Sequence, residues 1–330
     1  MNWTTPSRIA RLTALLLFLC LSVACKSKSA GTSPPVKVLR IGYLPITDHL
    51  TVIAKARSSF HGVDFQPLRF GSWPELSEAL KAGQLDGAFV LSPIALELRA
   101  KGVPLKAVLL GHRNGSAVIV RQDSTIHVPA DLVGKTIAIP NRFSTHNILL
   151  HKLLERESIE PAKVKVLELP PPEMVNALAT KRIDAFIVAE PFGAQAEAQG
   201  VGRVLTLSKD IWSEHICCVL TLVERVITDS PDAVQELVNG LVDTSHFIER
   251  DPTAAAQAAK PFLGQNSDVI IRALTNPKGR VTYEHLSPEV SDFAATQDAL
   301  HRFGISNAQV DLATYVDDHF GKVAYSNRTK

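Results

Sequence analysis

Hydrophobic and polar positions alternate between two periods along most of the chain, and this pattern predicts strands separated by helices. Strands are predicted over 38–43 and 63–70, whereas apolar residues at helical spacing predict helices over 50–60 and 73–82. A further buried strand is predicted over 85–91. Because short apolar runs that alternate with helices of about ten residues are typical of parallel βαβ units, this region is predicted to form an α/β unit.

The same order of elements starts again after residue 116. Strands are predicted over 117–120, 136–140, 164–169 and 183–188, with helices over 145–156 and 174–180. In both units the last of these strands is introduced by an aspartate, Asp86 in the first and Asp184 in the second. Two similar units predict two lobes, each with a mostly parallel sheet flanked by helices.

The tail from about residue 230 is predicted to be mostly helical. Pro231 and Pro252 each open an apolar helical pattern, and proline suits the first helical position because the N–H it lacks has no partner there anyway. A tail with so little strand is expected to pack on the first lobe rather than form a third. The predicted division is therefore 37–119 plus 221–330 for lobe 1 and 120–220 for lobe 2.

Composition narrows the class of protein further. At roughly 150 residues per domain, 330 residues suggest two domains. Hydrophobic residues make up 45% and charged residues 21%, which is ordinary for a globular protein and too apolar for a disordered one. With 35 Lys and Arg against 33 Asp and Glu, and only 6% aromatic residues, the chain lacks a broad basic surface and stacking platforms. Nucleic acid is not expected as a partner.

The first 24 residues predict a secretory signal peptide. Arg8 and Arg11 precede an apolar stretch over 12–23, which is too short to span a membrane. Ala24 before Cys25 resembles the bacterial lipobox, which implies cleavage before Cys25 and attachment of lipid, including palmitate, to it. An ordinary signal peptide with an incidental cysteine is the alternative. Residues 25–36 predict a polar tether, so the mature protein is expected to be an anchored lipoprotein on the periplasmic or extracytoplasmic side.

Polar side chains follow the predicted strands of the first unit. Thr47 and Asp48 come just after the first strand, Ser92 follows the strand ending at Leu91, and Trp73 opens a helix. Open α/β sheets bind ligands beyond the carboxyl ends of their strands, and a loop that enters a helix presents free N–H groups. These residues are candidate ligand contacts; the alternatives are helix N-caps for Thr47 and Asp48 and a core position for Trp73.

Three segments carry motifs whose order and spacing agree with one family: Gly42-Tyr43-Leu44-Pro45-Ile46-Thr47-Asp48; Ser72-Trp73-Pro74-Glu75-Leu76 with Gly83-Gln84-Leu85-Asp86-Gly87-Ala88; and Pro170-Pro171-Pro172-Glu173-Met174-Val175 running into Ile183-Asp184-Ala185-Phe186-Ile187-Val188-Ala189-Glu190-Pro191-Phe192. Together they resemble the solute-binding proteins of ABC importers for nitrate, bicarbonate, taurine and alkanesulfonates, a family that also includes binders of thiamine precursors. The resemblance covers about residues 37–325.

The resemblance implies a type II periplasmic-binding-protein fold with two crossing strands, in which the ligand lies in a cleft that closes by hinge motion. Nitrate- and bicarbonate-binding relatives have a Thr-His pair that contacts the anion, and this role is carried over to Thr145 and His146. Glu190 ends a strand at the cleft, with a structural role near the hinge as the alternative. The expected partners are a small-molecule ligand and the permease and ATPase subunits; a monomer without cofactor, metal or catalytic residues is expected.

Two departures from the nitrate and bicarbonate relatives bear on the ligand. Ser116 follows Asn114-Gly115 where those relatives have Gln, and His215-Ile216-Cys217-Cys218 replaces a region with a charged Lys or Glu. Losing a Lys removes a charge that would offset the desolvation of a buried anion, and Ser makes room. A larger organic solute is therefore expected, such as a sulfonate, a carboxylate or a thiamine precursor, with Ser116 and Cys218 among its contacts.

The adjacent pair Cys217-Cys218 leaves a second interpretation open. The two cysteines are interpreted either as small buried residues of a strand or, together with His215, as a thiol site that binds a metal or a soft atom. The second case resembles the His- and Cys-rich motif of fungal thiamine-pyrimidine synthases, which share this fold and need iron. A sensor that does not take part in transport is a third alternative. No G-x-S-x-G, H-E-x-x-H, P-loop or G-x-G-x-x-G motif occurs, and a binding protein rather than an enzyme is expected.

Overall fold

A computed structural model describes Met1 and residues 36–327. The predicted signal peptide of residues 1–24, the lipidation site Cys25 and the linker up to residue 35 lie outside the described residues, Met1 excepted. In the described part of the chain, no helix is both long enough and apolar enough to cross a membrane.

Two five-stranded sheets form the framework of residues 36–327. The strands are β1 Lys37–Tyr43, β2 Val63–Arg69, β3 Gly87–Leu91, β4 Leu105–Leu110, β5 Arg113–Asn114, β6 Ser116–Arg121, β7 Thr136–Ile139, β8 Lys165–Glu168, β9 Ala185–Ala189, β10 Gly202–Leu207, β11 Cys218–Val223 and β12 Val281–Thr282. The first sheet has the order β2-β1-β3-β11-β4 and the second β10-β6-β9-β7-β8, while β5 pairs with β12.

One strand in each sheet runs against the other four. β11 is antiparallel to β3 and β4, whereas β1 is parallel to β2 and β3. In the second sheet β6 is antiparallel to β9 and β10, whereas β7 is parallel to β8 and β9. The reversed strands are the ones that the chain enters on passing from one sheet to the other. The predicted α/β class with two mostly parallel sheets is confirmed.

Helices connect and cover the strands. The α-helices are Ala54–Arg57, Trp73–Lys81, Ser92–Ala100, Thr145–Arg156, Pro171–Ala179, Phe192–Ala198, Glu224–Asp229, Pro231–Arg250, Pro252–Leu263, Ser267–Thr275, Val290–Arg302, Leu312–Tyr315 and His319–Ser326. Short 3₁₀ helices cover Thr47–Ile53, Pro129–Leu132, Pro161–Lys163 and Ser208–Asp210. The single helix predicted over 50–60 is therefore a 3₁₀ turn followed by one α-helical turn. Its β-branched residues, among them Thr51 and Val52, are poor α-helix formers.

Both faces of the second sheet are buried, as the alternation along its strands shows. On β6, Ala117 and Ile119 belong to the hydrophobic core that continues into the first sheet. Val118 and Val120 belong to a separate core that includes residues of the helix Thr145–Arg156. Because successive side chains of a strand point to opposite faces, one apolar run supplies both cores, as expected for a sheet covered by helices on each side.

The two aspartates that introduce β3 and β9 make the same contacts. The side chain of Asp86 accepts a hydrogen bond of 2.9 Å from the N–H of Arg40, and the side chain of Asp184 accepts one of 2.9 Å from the N–H of Thr136. The N–H of each aspartate donates back to the carbonyl of the same residue, Arg40 or Thr136. The sequence repeat thus corresponds to one structural device used in both sheets, where a carboxylate ties the start of one strand to its neighbour.

The chain passes between the sheets twice, over residues 111–115 and 208–217. The predicted lobe boundaries at 119/120 and 220/221 fall inside β6 and β11, each of which lies wholly in one sheet. The division into lobes stays a prediction. If each lobe is to contain one whole sheet, its boundaries fall in the two crossing segments instead. In the tail, the helix Pro231–Arg250 contacts β2, whereas the helix Ser267–Thr275 contacts the helix Phe192–Ala198 of the second unit.

Candidate functional site

The loop after β1 brings the first predicted contacts into the interior. Thr47 and Asp48 begin a 3₁₀ helix whose N-cap residue is Ile46, so neither acts as the N-cap. Both side chains are fully buried. The N–H of Thr47 donates to the carbonyl of Glu190 at 2.7 Å, and its hydroxyl donates to the same carbonyl at 3.1 Å. A loop of the first sheet therefore touches the residue that follows β9 of the second sheet.

The Asp48 carboxylate faces a histidine that the sequence did not single out. Nε2 of His112 lies 3.0 Å from Oδ2 of Asp48 and 3.2 Å from Oγ1 of Thr47. Neither carboxylate oxygen accepts a well-oriented hydrogen bond in the described structure. Burial by itself raises the pKa of Asp48, but the neighbouring His112 outweighs it and holds that pKa below its ordinary value.

A tight turn in the first crossing separates His112 from Ser116. Asn114 and Gly115 both have positive φ angles, 61° and 80°, a conformation that glycine adopts without strain. A Cβ on Gly115 would lie 2.1 Å from the His112 ring, so no larger residue fits there. The predicted contact Ser116 is buried, and its N–H donates to Oγ of Ser208 at 3.0 Å. The turn thus joins the two crossing segments beside the site.

The second sheet contributes the start of the helix Thr145–Arg156. Ser144 is its N-cap and accepts from the N–H of Asn147 at 3.1 Å, which leaves Thr145 and His146 in the first turn with buried side chains. Nε2 of His146 lies 3.0 Å from Oγ of Ser116, and the Thr145 hydroxyl donates to the carbonyl of Cys217 at 3.4 Å. Both predicted residues therefore face the crossing segments.

The cysteine pair lies at the same place, at the start of β11. Both thiols are free and fully buried. One ligand atom each of Asp48, Cys217 and Cys218 lie within 4.8 Å of one another, and Sγ of Cys217 lies 3.9 Å from Nε2 of His146. Burial raises the pKa of Cys217 to about 11. The structure joins the two thiols to Asp48, whereas the combination of both with His215 is not among the described clusters.

Three buried imidazoles surround this cluster and are held neutral. Burial lowers the pKa of His49 to about 4, that of His146 to about 3 and that of His215 to about 4. His215 stacks on Trp212 with ring centroids 5.9 Å apart, and its Nδ1 lies 2.8 Å from the Trp212 carbonyl. These three residues, called here the neutral imidazoles, supply hydrogen-bonding nitrogens without positive charge.

Glu190 is part of a buried ion pair rather than a free carboxylate. Nε of Arg280 donates to Oε1 of Glu190 at 2.8 Å, and Nη1 donates to Glu197 at 2.9 Å. The N–H of Ala194 donates to the other oxygen of Glu190 at 2.9 Å. Burial raises the pKa of Glu190, and the attraction of Arg280 and the Ala194 N–H offset this only in part. The contacts of the Glu190 side chain therefore agree with a structural role, the alternative given above. Only the backbone carbonyl of Glu190 contacts Thr47.

Trp73 and Ser92 lie at the periphery of the cluster. Trp73 opens its helix as predicted, is 1% exposed, and meets the His49 ring edge-on at 5.8 Å between centroids. It also lines a cavity of about 180 Å³ together with Asn141 and Phe143 from the second unit. The N–H of Ser92 donates to the carbonyl of Cys217 at 2.8 Å, and its buried hydroxyl has no partner among the described residues.

Three residues of the site escaped the sequence analysis. The Tyr283 hydroxyl donates to the carbonyl of Thr47 at 2.7 Å, and its ring meets the His112 ring edge-on at 5.6 Å. Arg280 and Tyr283 come from the tail, where no local pattern marks them. His112 precedes the Asn114-Gly115 turn by two residues, and that turn is the one signal that could have indicated it.

A protein-family model and several known proteins match this chain. Residues 32–263 match the model of the NMT1-like family. The nitrate import ATP-binding protein NrtC of Synechocystis sp. is 30% identical over 233 residues, which are 64% of this chain and 35% of that protein. The nitrate/nitrite-binding protein NrtA of Nostoc sp. is 26% identical over 287 residues, which are 77% of this chain and 64% of that protein. The chain thus spans about a third to two thirds of the length of these relatives.

A solved structure agrees with the fold. The ligand-binding component of an ABC-type import system from Staphylococcus aureus, determined with zinc bound, is 27% identical with a TM-score of 0.80, and the match covers 87% of this chain and 99% of that one. The resemblance to solute-binding proteins of ABC importers is confirmed by these matches. Since the family model matches more than half of the described chain and the sheets have the expected form, the chain belongs to the NMT1-like family.

Proposed function

We propose that the protein is the solute receptor of an ABC importer, which encloses a small solute between its two sheets and passes it to the permease. One observation carries the proposal. Thr47, which follows a strand of the first sheet, meets the Glu190 carbonyl of the second unit, while His146 of the second unit meets Ser116, and these side chains and that of Asp48 are all buried. Names of relatives such as the nitrate/nitrite-binding protein NrtA support the same role.

In the proposed closing motion, the sheets move about the two crossing segments at residues 111–115 and 208–217. The contacts of Thr47 with Glu190 and of Thr145 with the Cys217 carbonyl hold the closed form. A ligand that adds contacts to both units shifts the population toward that form. Thr47, Asp48, Trp73 and Ser92 form one side of the proposed site, and Thr145, His146 and Glu190 form the other. Ser116 and Cys218 lie between them, each at the start of the strand that follows a crossing segment.

The electrostatics of the site favour a neutral or cationic solute over the sulfonate or carboxylate anticipated among its ligands. The cluster contains the Asp48 carboxylate, and the neutral imidazoles bring no charge. Both arginines that are buried in the described structure are already paired, Arg113 with Asp292 and Arg280 with Glu190. Since His112 already faces Asp48, an anion would lose its hydration without gaining an unpaired cation. Among the organic candidates, a thiamine precursor fits best.

The proposed location is the extracytoplasmic side of the membrane, where a lipid on Cys25 holds the receptor near its permease. The tether over residues 25–36 is rich in small and polar residues, as a flexible connection requires. The proposed functional unit is a monomer that docks on permease and ATPase subunits.

A thermal-shift screen of the full chain tests the proposal, using thiamine precursors, sulfonates, small carboxylates and nitrate. We expect at least one compound to raise the melting temperature, with an affinity that falls about tenfold or more in His146→Ala, because one buried hydrogen-bonding group is lost. His151→Ala is the matched control, since His151 lies on the same helix but stacks on Phe303 away from the cluster. Equal affinities of the two variants would remove His146 from the site.

A further inference from the structure

The buried cluster at the crossings combines residues that bind metal ions in proteins. Asp48, Cys217 and Cys218 each offer one ligand atom, and these atoms lie within 4.8 Å of one another. All three side chains have no exposed surface. Two of them come from the start of β11 and one from the loop after β1, so the cluster is built by the fold and not by a local sequence motif.

Asp48 in particular has coordination capacity that the described structure leaves unused. Neither Oδ1 nor Oδ2 accepts a hydrogen bond of good geometry, although His112 lies 3.0 Å from Oδ2. Buried carboxylates are ordinarily paired, hydrogen-bonded or bound to a metal, because removing the charge from water costs several kcal/mol. The nearest buried arginine pairs, those of Arg113 and Arg280, are made with other carboxylates. No arginine or lysine therefore pairs with this carboxylate among the described residues, and beside His112 one of its oxygens lies within 4.8 Å of both thiol sulfurs.

His146 lies beside this cluster and is the candidate for a fourth donor, although its ring nitrogens are not within 4.8 Å of all three other ligand atoms. Nε2 of His146 lies 3.9 Å from Sγ of Cys217. In a tetrahedral zinc site, Zn–S bonds of about 2.3 Å and Zn–N bonds of about 2.1 Å place the sulfur and nitrogen atoms about 3.6 Å apart. This one pair of atoms therefore needs a contraction of a few tenths of an ångström, and the imidazole must in addition move closer to the remaining donors. The ligand atoms of the other three residues lie within 4.8 Å of one another, so these side chains also need to move inward to reach bonding distance from one ion.

We propose that Asp48, Cys217, Cys218 and His146 bind a transition-metal ion of the zinc class between the two units. The proposal names the ligand class of the same cleft and so rests on the proposed receptor function. Two thiolates, an imidazole and a carboxylate form a donor set suited to Zn²⁺, whereas Mg²⁺ and Ca²⁺ prefer oxygen ligands alone. Binding replaces the two S–H bonds with S–metal bonds and releases two protons to the solvent.

The site couples metal binding to closure, because its donors belong to separate parts of the fold. Asp48 belongs to the first unit, His146 to the second, Cys217 to the end of the return crossing and Cys218 to the start of β11 in the first sheet. An ion that bonds to all of them joins the two units more strongly than the hydrogen bond between Thr145 and the Cys217 carbonyl at 3.4 Å. The ion is therefore expected to favour the closed form as a solute would.

Equilibrium binding of Zn²⁺ to the full chain, kept reduced with a phosphine that does not chelate the metal, tests the proposal. We expect about one Zn²⁺ per chain to survive gel filtration. Cys218→Ser and Asp48→Asn are each expected to weaken binding about 100-fold or more, since even partners of a metal's ligands are worth 10- to 100-fold. Asp86→Asn is the matched control, because Asp86 is a buried carboxylate that pairs with Arg40 instead.

Replacing Zn²⁺ by Co²⁺ gives a readout on the wild-type chain itself, which does not depend on how well any variant folds. The wild-type chain should show the near-ultraviolet charge-transfer band of thiolate bound to Co²⁺, and Cys217→Ser should lose about half of its intensity. Absence of the band, or competition by Ca²⁺ as effective as that of Zn²⁺, would overturn the assignment. Retention of Zn²⁺ in Asp48→Asn and Cys218→Ser at wild-type affinity would do the same.

The outcomes separate this proposal from the receptor function. If Zn²⁺ fails to bind while an organic compound of the thermal-shift screen stabilises the chain, the metal site is wrong and the receptor stands. If Zn²⁺ binds at the cluster but cells lacking this protein take up labelled zinc at the wild-type rate, the metal site stands and its proposed role in import fails.

Discussion

Replacing Arg280 with methionine would leave the Glu190 carboxylate buried without its cation. Arg280 is 1% and Glu190 0% exposed at the side chain, and the guanidinium also donates to Glu197 and to the carbonyl of Asn276 at 2.9 Å each. Methionine keeps most of the aliphatic stem, so the change removes charge and hydrogen bonds more than packing. The substitution therefore tests whether this pair fastens the tail to the second unit.

The burial of the Arg280–Glu190 pair sets how much free energy of unfolding the Arg280→Met variant is expected to lose. Removing one partner of a buried ion pair typically costs about 3 to 5 kcal/mol because the other charge stays buried and unpaired. Glu190 keeps the N–H of Ala194 at 2.9 Å and can take up a proton, so we expect a value near the lower end, about 3 kcal/mol at neutral pH. The exposed pair of Arg302 and Glu155, with side chains 63% and 47% exposed, provides the control: Arg302→Met should cost less than about 1 kcal/mol.

The loss should also depend on pH with a definite sign. Without Arg280 the pKa of Glu190 rises further above its ordinary value of 4.5 in the folded variant. The folded variant then keeps a proton that the unfolded chain releases, so its deficit relative to wild type grows as pH rises from that value and shrinks as pH falls toward it. Urea unfolding followed by tryptophan fluorescence at about pH 7 and about pH 5 measures both effects. Equal deficits for Arg280→Met and Arg302→Met, or a deficit that grows in acid, would refute this reasoning.

Three further predictions concern the cluster, its packing and the anchor. Because the folded state lowers the pKa of the neutral imidazoles to about 3 to 4 while the unfolded chain protonates them near 6.5, stability should fall as pH drops from about 6.5 toward 4; a constant urea midpoint over that range would contradict this. Gly111→Ala places a Cβ 2.3 Å from the backbone oxygen of Asp48, so it should lower the free energy of unfolding by about 2 kcal/mol or more. Gly71→Ala is the control: the nearest atom to its Cβ is a flexible side-chain oxygen at 3.8 Å, and it should lower the free energy of unfolding by less than about 1 kcal/mol. Cys25→Ser should move the protein from the membrane fraction to the soluble fraction on cell fractionation, and unchanged membrane attachment would disprove lipidation at Cys25.

Local patterns predicted the elements well where each one is governed by its own residues. The helix predicted over 145–156 is found as Thr145–Arg156, and the strand over 136–140 as Thr136–Ile139, because apolar spacing and caps act within a few residues. The strand β10 Gly202–Leu207 was not predicted, since four of its six residues are only partly buried and carry no clear alternation. At Glu190 the sequence predicted a cleft carboxylate, but its side chain is occupied by Arg280, which lies 90 residues away in the chain.

The sequence by itself determined the class of the fold and the repeated aspartates at the starts of β3 and β9. It also determined that Thr47 and Asp48 follow β1 and that Thr145 and His146 follow β7. Each of these depends on periodicity or capping within one element. Only the tertiary structure decided that Asp48 meets His112 and the two thiols, and that Arg280 and Tyr283 close the site from the tail. Such contacts join residues up to 236 positions apart, and their free energy depends on burial and on pairing across the fold, which no local stretch of sequence encodes.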